Sequence, residues 1–246
     1  MKIIAHRGFS SRAPENTMAA FATALEFGVD GLELDVHLSK DGQVVICHDE
    51  AVNRTTNGQG LIKDLTWDEL QQLDAGSWFD GRFKGERIPL LASLLELIRT
   101  SDVLINIELK TNVFAYLGIE EQVIELLTKF GMVERCIISS FNHFSLLRVA
   151  EIRPEIKTGA LYMANLYQPW EYGKKIKAAA LHPRHFSVTP ELVRMARQNG
   201  LLVNPWTVDD PIHMQRMYLA GVDSIITNYP DVAKTQWEEF LGLESR

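Results

Sequence analysis

Gly31-Leu32-Glu33-Leu34-Asp35-Val36 alternates residue by residue, and as a strand it turns Glu33 and Asp35 to one face and Leu32, Leu34 and Val36 to the other. Asn106-Ile107-Glu108-Leu109-Lys110 repeats the parity, with Asn106, Glu108 and Lys110 on one face and Ile107 and Leu109 opposite. Around these two stretches, short β-branched runs alternate with segments of helical period along the whole chain. The runs predict strands over 3–6, 31–36, 44–48, 103–109, 136–140, 157–162, 186–189, 201–206 and 224–227. Amphipathic helices are predicted over 17–27, 119–130, 144–152, 190–199 and 212–220. Repeated strand and helix over roughly 250 residues fits a (β/α)8 TIM barrel or an open doubly wound sheet. Two features favour the barrel. No Gly-x-Gly-x-x-Gly turn follows the first strand, and polar residues gather at the C-terminal ends of several strands. The predicted fold class is α/β, a TIM barrel forming a single domain over 1–246.

Residues 50–87 interrupt the rhythm. Asn57-Gly58-Gln59-Gly60 and Asp80-Gly81-Arg82-Phe83-Lys84-Gly85 are turn signals around a short predicted helix, 66–73, and Thr66 with Glu69 has capping-box spacing. The segment is expected to be a small inserted subdomain after the strand that ends at His48.

Composition narrows the function classes. With 46% hydrophobic and 23% charged residues in 246, disorder is excluded. A net charge of −7 has the wrong sign for binding long DNA or RNA. Cys47 and Cys136 sit in apolar runs and read as small buried hydrophobes rather than a disulfide or zinc site. No run reaches the roughly 18 apolar residues of a membrane span, so stable membrane insertion is not expected. The opening Met1-Lys2-Ile3-Ile4 shows no signal-peptide pattern, and a cytoplasmic location is expected.

The inward acids carry the chemistry. Carboxylates about 4 Å apart repel by roughly 4 kcal/mol per pair at an effective dielectric near 20, so Glu33, Asp35 and Glu108 together demand a cation. For any one acid a salt bridge is the commoner explanation; three at inward strand ends reverse that. An oxygen-only set suits Mg²⁺ or Ca²⁺ better than zinc. His6 and His48 both end strands, and such a pair beside a metal can divide general acid and general base duties. Reading Asp41-Gly42 as a two-residue hairpin loop places Lys40 opposite Gln43 and His48 opposite Asp35. Arg7 and Lys110 offer positive charge for a phosphoryl group, or salt bridges to the same acids.

In order along the chain, His6-Arg7-Gly8, Pro14-Glu15-Asn16-Thr17, Glu33-Leu34-Asp35-Val36, His48-Asp49, Arg54-Thr55-Thr56, Leu73-Asp74-Ala75-Gly76, Ile107-Glu108-Leu109-Lys110, Ser139-Ser140-Phe141, Trp206-Thr207-Val208 and Thr227-Asn228-Tyr229-Pro230 resemble the glycerophosphodiester phosphodiesterases. The resemblance implies a barrel with an insertion in its first half. It also implies a divalent metal on Glu33, Asp35 and Glu108, His6 and His48 as acid/base pair, and Arg7 and Lys110 near the phosphate. The implied reaction is hydrolysis of glycerophosphodiesters, such as glycerophosphocholine and glycerophosphoethanolamine, to sn-glycerol 3-phosphate and an alcohol. Attack by water and attack by the neighbouring glycerol hydroxyl both remain open. Phe141 and Trp206 end later strands and are expected to wall the substrate pocket, with Phe114 and Tyr116 extending it. His37, His143, His182, His185 and His213 read as surface or packing residues. The chain departs from the family pattern where Asp209 follows Val208, a position where Asn is frequent.

Two rivals make distinct demands. A lysophospholipase D-like barrel would need an exposed apolar rim around the pocket. A non-catalytic phosphate-ester-binding barrel would have lost a metal acid or a histidine, and all five are present.

Overall fold

Eight parallel strands curl around a polar interior in the computed structural model, which describes residues 1–244. They are β1 (Lys2–His6), β2 (Gly31–Leu38), β4 (Leu104–Leu109), β5 (Cys136–Ser140), β6 (Lys157–Tyr162), β7 (Ala180–Pro183), β8 (Leu202–Val203) and β9 (Ser224–Thr227), while β3 (Val44–Ile46) lies off this path, antiparallel to β2. The sheet runs β8-β7-β6-β5-β4-β2-β1-β9. Backbone hydrogen bonds bring its two ends together: Asp223 N to Val203 O (3.1 Å), Ile226 N to Pro205 O (3.0 Å) and Val208 N to Ile226 O (2.9 Å). Around the strands lie α1 (Met18–Phe27), α2 (Trp67–Leu70), α3 (Leu91–Leu97), α4 (Ile119–Lys129), α5 (His143–Ile152), α6 (Pro169–Lys175), α7 (Pro190–Gln198), α8 (Pro211–Ala220) and α9 (Pro230–Glu244). The TIM barrel read from the sequence is the fold observed.

Parity does the sorting. Leu32, Leu34, Ile105 and Ile107 face outward, where they are buried in the main apolar core with helix residues such as Phe21, Leu94 and Val123. Burying each such aliphatic side chain contributes about 1.5–3 kcal/mol, which fixes the register and with it the inward set. Parallel pairing then aligns that set: His6 with Glu33, Glu33 with Asn106, and Asp35 with Glu108.

Two sequence expectations change. The seventh strand is Ala180–Pro183, not 186–189, where a 3-10 turn stands. Pro183 closes that strand, where its missing N–H costs no interior ladder bond. The β2–β3 hairpin exists, but Val36 pairs with Ile46 rather than with Cys47, a register one residue off the expected one. Ser39 N donates to Gln43 O at 3.0 Å and Gly42 takes φ +80°, which makes a three-residue loop with a left-handed glycine. Cys47, not His48, therefore comes opposite Asp35, its N–H donating to the Asp35 carbonyl at 3.0 Å. Both cysteines are free and buried.

Residues 50–87 hold two 3-10 turns and α2, whose start is the expected capping box of Thr66 and Glu69, although the helix ends at Leu70. Val52, Ile62, Leu70, Ala75 and Ile88 form a separate apolar cluster with Val45 and Cys47.

Candidate active site

The site begins where β1, β2 and β4 end. Glu33 and Asp35 project inward from β2 and Glu108 from β4, and one oxygen of each lies within 4.8 Å of the others, all three side chains buried. Burial and the neighbouring Asp35 and Glu108 carboxylates raise Glu33 well above the usual carboxylate range. Burial and Asp35 likewise raise Glu108 to about 7. Burial alone would lift Asp35 too, but Arg7, Lys110 and His48 together hold it low. The donors fit a hard divalent cation: three carboxylates, no sulfur, and a cluster that cannot ionise fully without added positive charge.

Lys110 Nζ stands 3.0 Å from Glu108 and 3.7 Å from Asp35, and Arg7 Nε is 3.5 Å from Asp35. Both basic residues thus border the acids, as either of their expected roles requires. The turn after β1 makes this possible. Arg7 and Gly8 both have left-handed φ, 57° and 78°, and the Arg7 N–H donates to Glu33 Oε2 at 2.9 Å. A Cβ on Gly8 would stand 2.7 Å from the Ala20 backbone, so α1 could not approach there with any other residue.

His6 ends β1 with its Nε2 3.9 Å from Glu33 and its Nδ1 2.7 Å from Asn228 Oδ1. The Asn228 amide is oriented by Asp209, which accepts from its Nδ2 (2.7 Å) and its backbone N (2.9 Å). The Asn228 oxygen therefore faces His6, and Nδ1 of His6 is the donor. Burial and the Arg7 charge lower His6 to about 4, leaving the ring neutral. His48 lies just past β3, its Nδ1 2.7 Å from the Asp49 carboxylate. Arg54, from the irregular segment, grips Asp49 through Nε (2.7 Å) and Nη2 (3.0 Å) and Glu15 through Nη1 (2.9 Å) and Nη2 (2.8 Å). Hydrogen bonds from Arg54 hold Asp49 below the usual carboxylate range. Glu15 also accepts from Arg7 Nη1 at 2.8 Å, which ties the two histidine arms together.

Phe141 and Trp206 meet edge to face, ring centroids 5.4 Å apart, with Trp206 Nε1 donating to the His182 carbonyl at 2.8 Å. They sit just past β5 and β8, as the wall reading needs. Tyr116 does not extend that wall: it is buried and its hydroxyl is 2.9 Å from His37 Nδ1. His37 in turn donates through Nε2 to the His48 carbonyl at 3.2 Å, so it fastens the loop that carries His48. Asn16, with left-handed φ 58°, donates to Asp35 at 2.9 Å. Sequence reasoning does not single out His37, Asn16, Asn228, Asp209, Glu15, Asp49 or Arg54 as site residues. Five of them, Glu15, Asn16, Asp49, Arg54 and Asn228, stand in the ordered motifs, and that is where their signal lies. A cavity of about 240 Å³ inside the barrel lies at the other end, lined by Lys2, Lys157, His182 and Asn204, away from the acids.

Comparisons agree with this geometry. A family model described as the glycerophosphoryl diester phosphodiesterase family matches residues 6–232. A glycerophosphodiester phosphodiesterase of Caldanaerobacter subterraneus subsp. tengcongensis is 50% identical over 229 residues, covering 93% of this chain and 94% of that one. One from Bacillus altitudinis is 43% identical over 241 residues, covering 97% and 98%. Among solved structures, an Oleispira antarctica phosphodiesterase in complex with the product sn-glycerol-3-phosphate superposes with a TM-score of 0.89 at 33% identity, covering 97% of each chain. This chain is a phosphoric diester hydrolase and belongs to the glycerophosphoryl diester phosphodiesterase family.

Proposed function

We propose that the chain hydrolyses small glycerophosphodiesters, such as glycerophosphocholine and glycerophosphoethanolamine, to sn-glycerol 3-phosphate and an alcohol, with His6 as general base and His48 as general acid. The observation that carries this is the convergence of three buried carboxylates between two histidines whose partners differ in charge. The product bound in the Oleispira antarctica relative supports the substrate class. A barrel domain over 1–246 with 50–87 as its insertion is part of the proposal; residues 245–246 lie outside the described residues.

Glu33, Asp35 and Glu108 would hold Mg²⁺ or Ca²⁺, which would supply charge for the phosphate and for the oxygens that gain charge as the bond breaks. Arg7 and Lys110 add fixed positive charge beside it. His6, donating from Nδ1 to a neutral amide, keeps its Nε2 lone pair for the proton of the attacking oxygen. His48 is oriented by the hydrogen bond from its Nδ1 to the Asp49 carboxylate, and as general acid it would give a proton from Nε2 to the leaving alcohol oxygen. Phe141 and Trp206 exclude water along one side.

The test is a panel of glycerophosphodiesters assayed for released glycerol 3-phosphate, with and without chelator. Release that chelator abolishes and Mg²⁺ or Ca²⁺ restores is expected. Release that survives exhaustive chelation would remove the metal from the proposal, and no release from any member would remove the substrate class.

A further inference from the structure

His37 stands two residues beyond Asp35 on the same face of β2, and its ring is fully buried. No step of the reaction above uses it. Both ring nitrogens are nonetheless engaged, with partners from two different loops: Nε2 with the His48 carbonyl at 3.2 Å and Nδ1 with the Tyr116 hydroxyl at 2.9 Å. A carbonyl oxygen only accepts, so Nε2 carries the proton. Burial favours the neutral ring, which leaves Nδ1 to accept from the Tyr116 O–H. Donation therefore runs one way, from Tyr116 through His37 to the backbone of His48.

The last of these bonds has no substitute. β3 ends at Ile46, and Cys47 N–H still donates to the Asp35 carbonyl at 3.0 Å. Among the described residues, the ring of His37 makes the one hydrogen bond to the backbone of His48. The imidazole of His48 is held separately, by Asp49 in the grip of Arg54. Asp49 thus sets how the ring turns, and His37 sets where the chain that carries it stands. Tyr116 is itself firmly placed. Its carbonyl accepts from the Ile119 N–H (3.3 Å) at the start of α4, and its ring meets His37 edge to face with centroids 5.5 Å apart. Two residues earlier, Lys63 of the irregular segment covers Phe114, its Nζ 5.2 Å from the ring centroid.

We propose that His37 and Tyr116 are positioning residues for His48: the Tyr116 hydroxyl fixes the tautomer of His37, and the His37 N–H fixes the distance from which His48 reaches the leaving oxygen. The inference rests on the phosphodiesterase reading above and deepens it by naming what places one of its two histidines. A side chain that only filled space would need neither bond.

Three variants separate these roles. His37→Leu fills the site but removes the N–H, His37→Gln keeps an amide donor there, and Tyr116→Phe removes a single hydroxyl. Each is made in the wild-type and in the His48→Ala background, and kcat, KM and melting temperature are measured with glycerophosphocholine. His37→Leu is expected to lower kcat by about 10- to 10²-fold, the cost of a displacement near 1 Å, with KM changed by less than about twofold. His37→Gln should recover most of that loss, and Tyr116→Phe should lose about threefold. In the His48→Ala background none of the three should cost more than about twofold, because the group they place is gone. Equal losses in the two backgrounds overturn the proposal, as does an unchanged kcat in His37→Leu. So does a loss that follows the melting temperature and is not recovered by His37→Gln, which would leave His37 a packing residue. The same variants on a nitrophenyl ester of glycerol phosphate test the reading beneath: undiminished losses there would count against His48 as general acid, while the two-background comparison still decides whether His37 acts through it.

Discussion

His6 and His48 flank one acid cluster on different kinds of support. His6 stands on the barrel itself: it ends β1, and its partner Asn228 follows β9, the adjacent strand, with Asp209 fixing the amide. His48 stands beyond the short β3, and its partner Asp49 is fixed by Arg54 from the irregular segment. One ring donates to a neutral oxygen and the other to an anion. Burial and the Arg7 charge keep the His6 ring neutral, the state a general base needs, while His48 is oriented by an anion.

The sharpest way to break this comparison is to remove each ring. His6→Ala and His48→Ala should each lower kcat by about 10²–10⁴ while leaving thermal stabilisation by Mg²⁺ or Ca²⁺ intact. They should differ in one respect. A substrate with an acidic leaving alcohol, such as a nitrophenyl ester of glycerol phosphate, needs no protonation on departure, so it should recover most of the His48→Ala loss and little of the His6→Ala loss. Equal recovery in both variants would erase the distinction between acid and base.

A gentler change exchanges the supports. Asn228→Asp gives His6 an anionic partner like that of His48, and its ring should then hold a proton to higher pH. The acidic limb of the kcat/KM profile is expected to move up by about one pH unit, with the plateau reached more slowly and not abolished. A limb that stays in place would show that the Asn228 contact does not set the proton affinity of His6.

What the sequence made legible follows the same divide. Period-two parity located Glu33, Asp35 and Glu108 on one inner face because the outward Leu32, Leu34, Ile105 and Ile107 could be read as apolar without any knowledge of their neighbours. The partners could not be read this way. His6 and Asn228 are 222 residues apart and Arg54 is 39 from Glu15, distances bridged only by closure of the barrel and by the path of an irregular segment. The hairpin register failed for a local reason: Asp41-Gly42 suggests two loop residues, but Ser39 Oγ bonds both Asp41 and the Gln43 N–H, drawing one more residue into the turn. Ala180-Leu181-His182-Pro183 escaped notice as a strand because a histidine and a proline interrupt its apolar pattern, and the interior position of His182 beside Gly159 is a barrel property.

The smallest expected effect separates the acid cluster from the His48 arm by its response to pH. Glu33 and Glu108 have folded pKa values raised above their unfolded ones, Glu108 to about 7, so their contribution to stability is complete below the unfolded value and is lost as pH rises through the folded one. Asp49 is shifted the other way and stays ionised throughout the neutral range, so the His48 arm contributes no slope there through its carboxylate. A cation held by the cluster competes with the protons on Glu33 and Glu108. The gain in melting temperature on adding Mg²⁺ or Ca²⁺ should therefore grow from pH 5.5 to pH 8, by at most about 1.4 kcal/mol per pH unit for each proton released, or roughly 3–6 °C. Taking the difference with and without cation cancels the titration of histidines remote from the cluster. Glu108→Gln should flatten the dependence, and Asp49→Asn should leave it as it is. A gain that is constant across this range would mean that the cation does not displace protons from the acids, and the ligand assignment would fall with it.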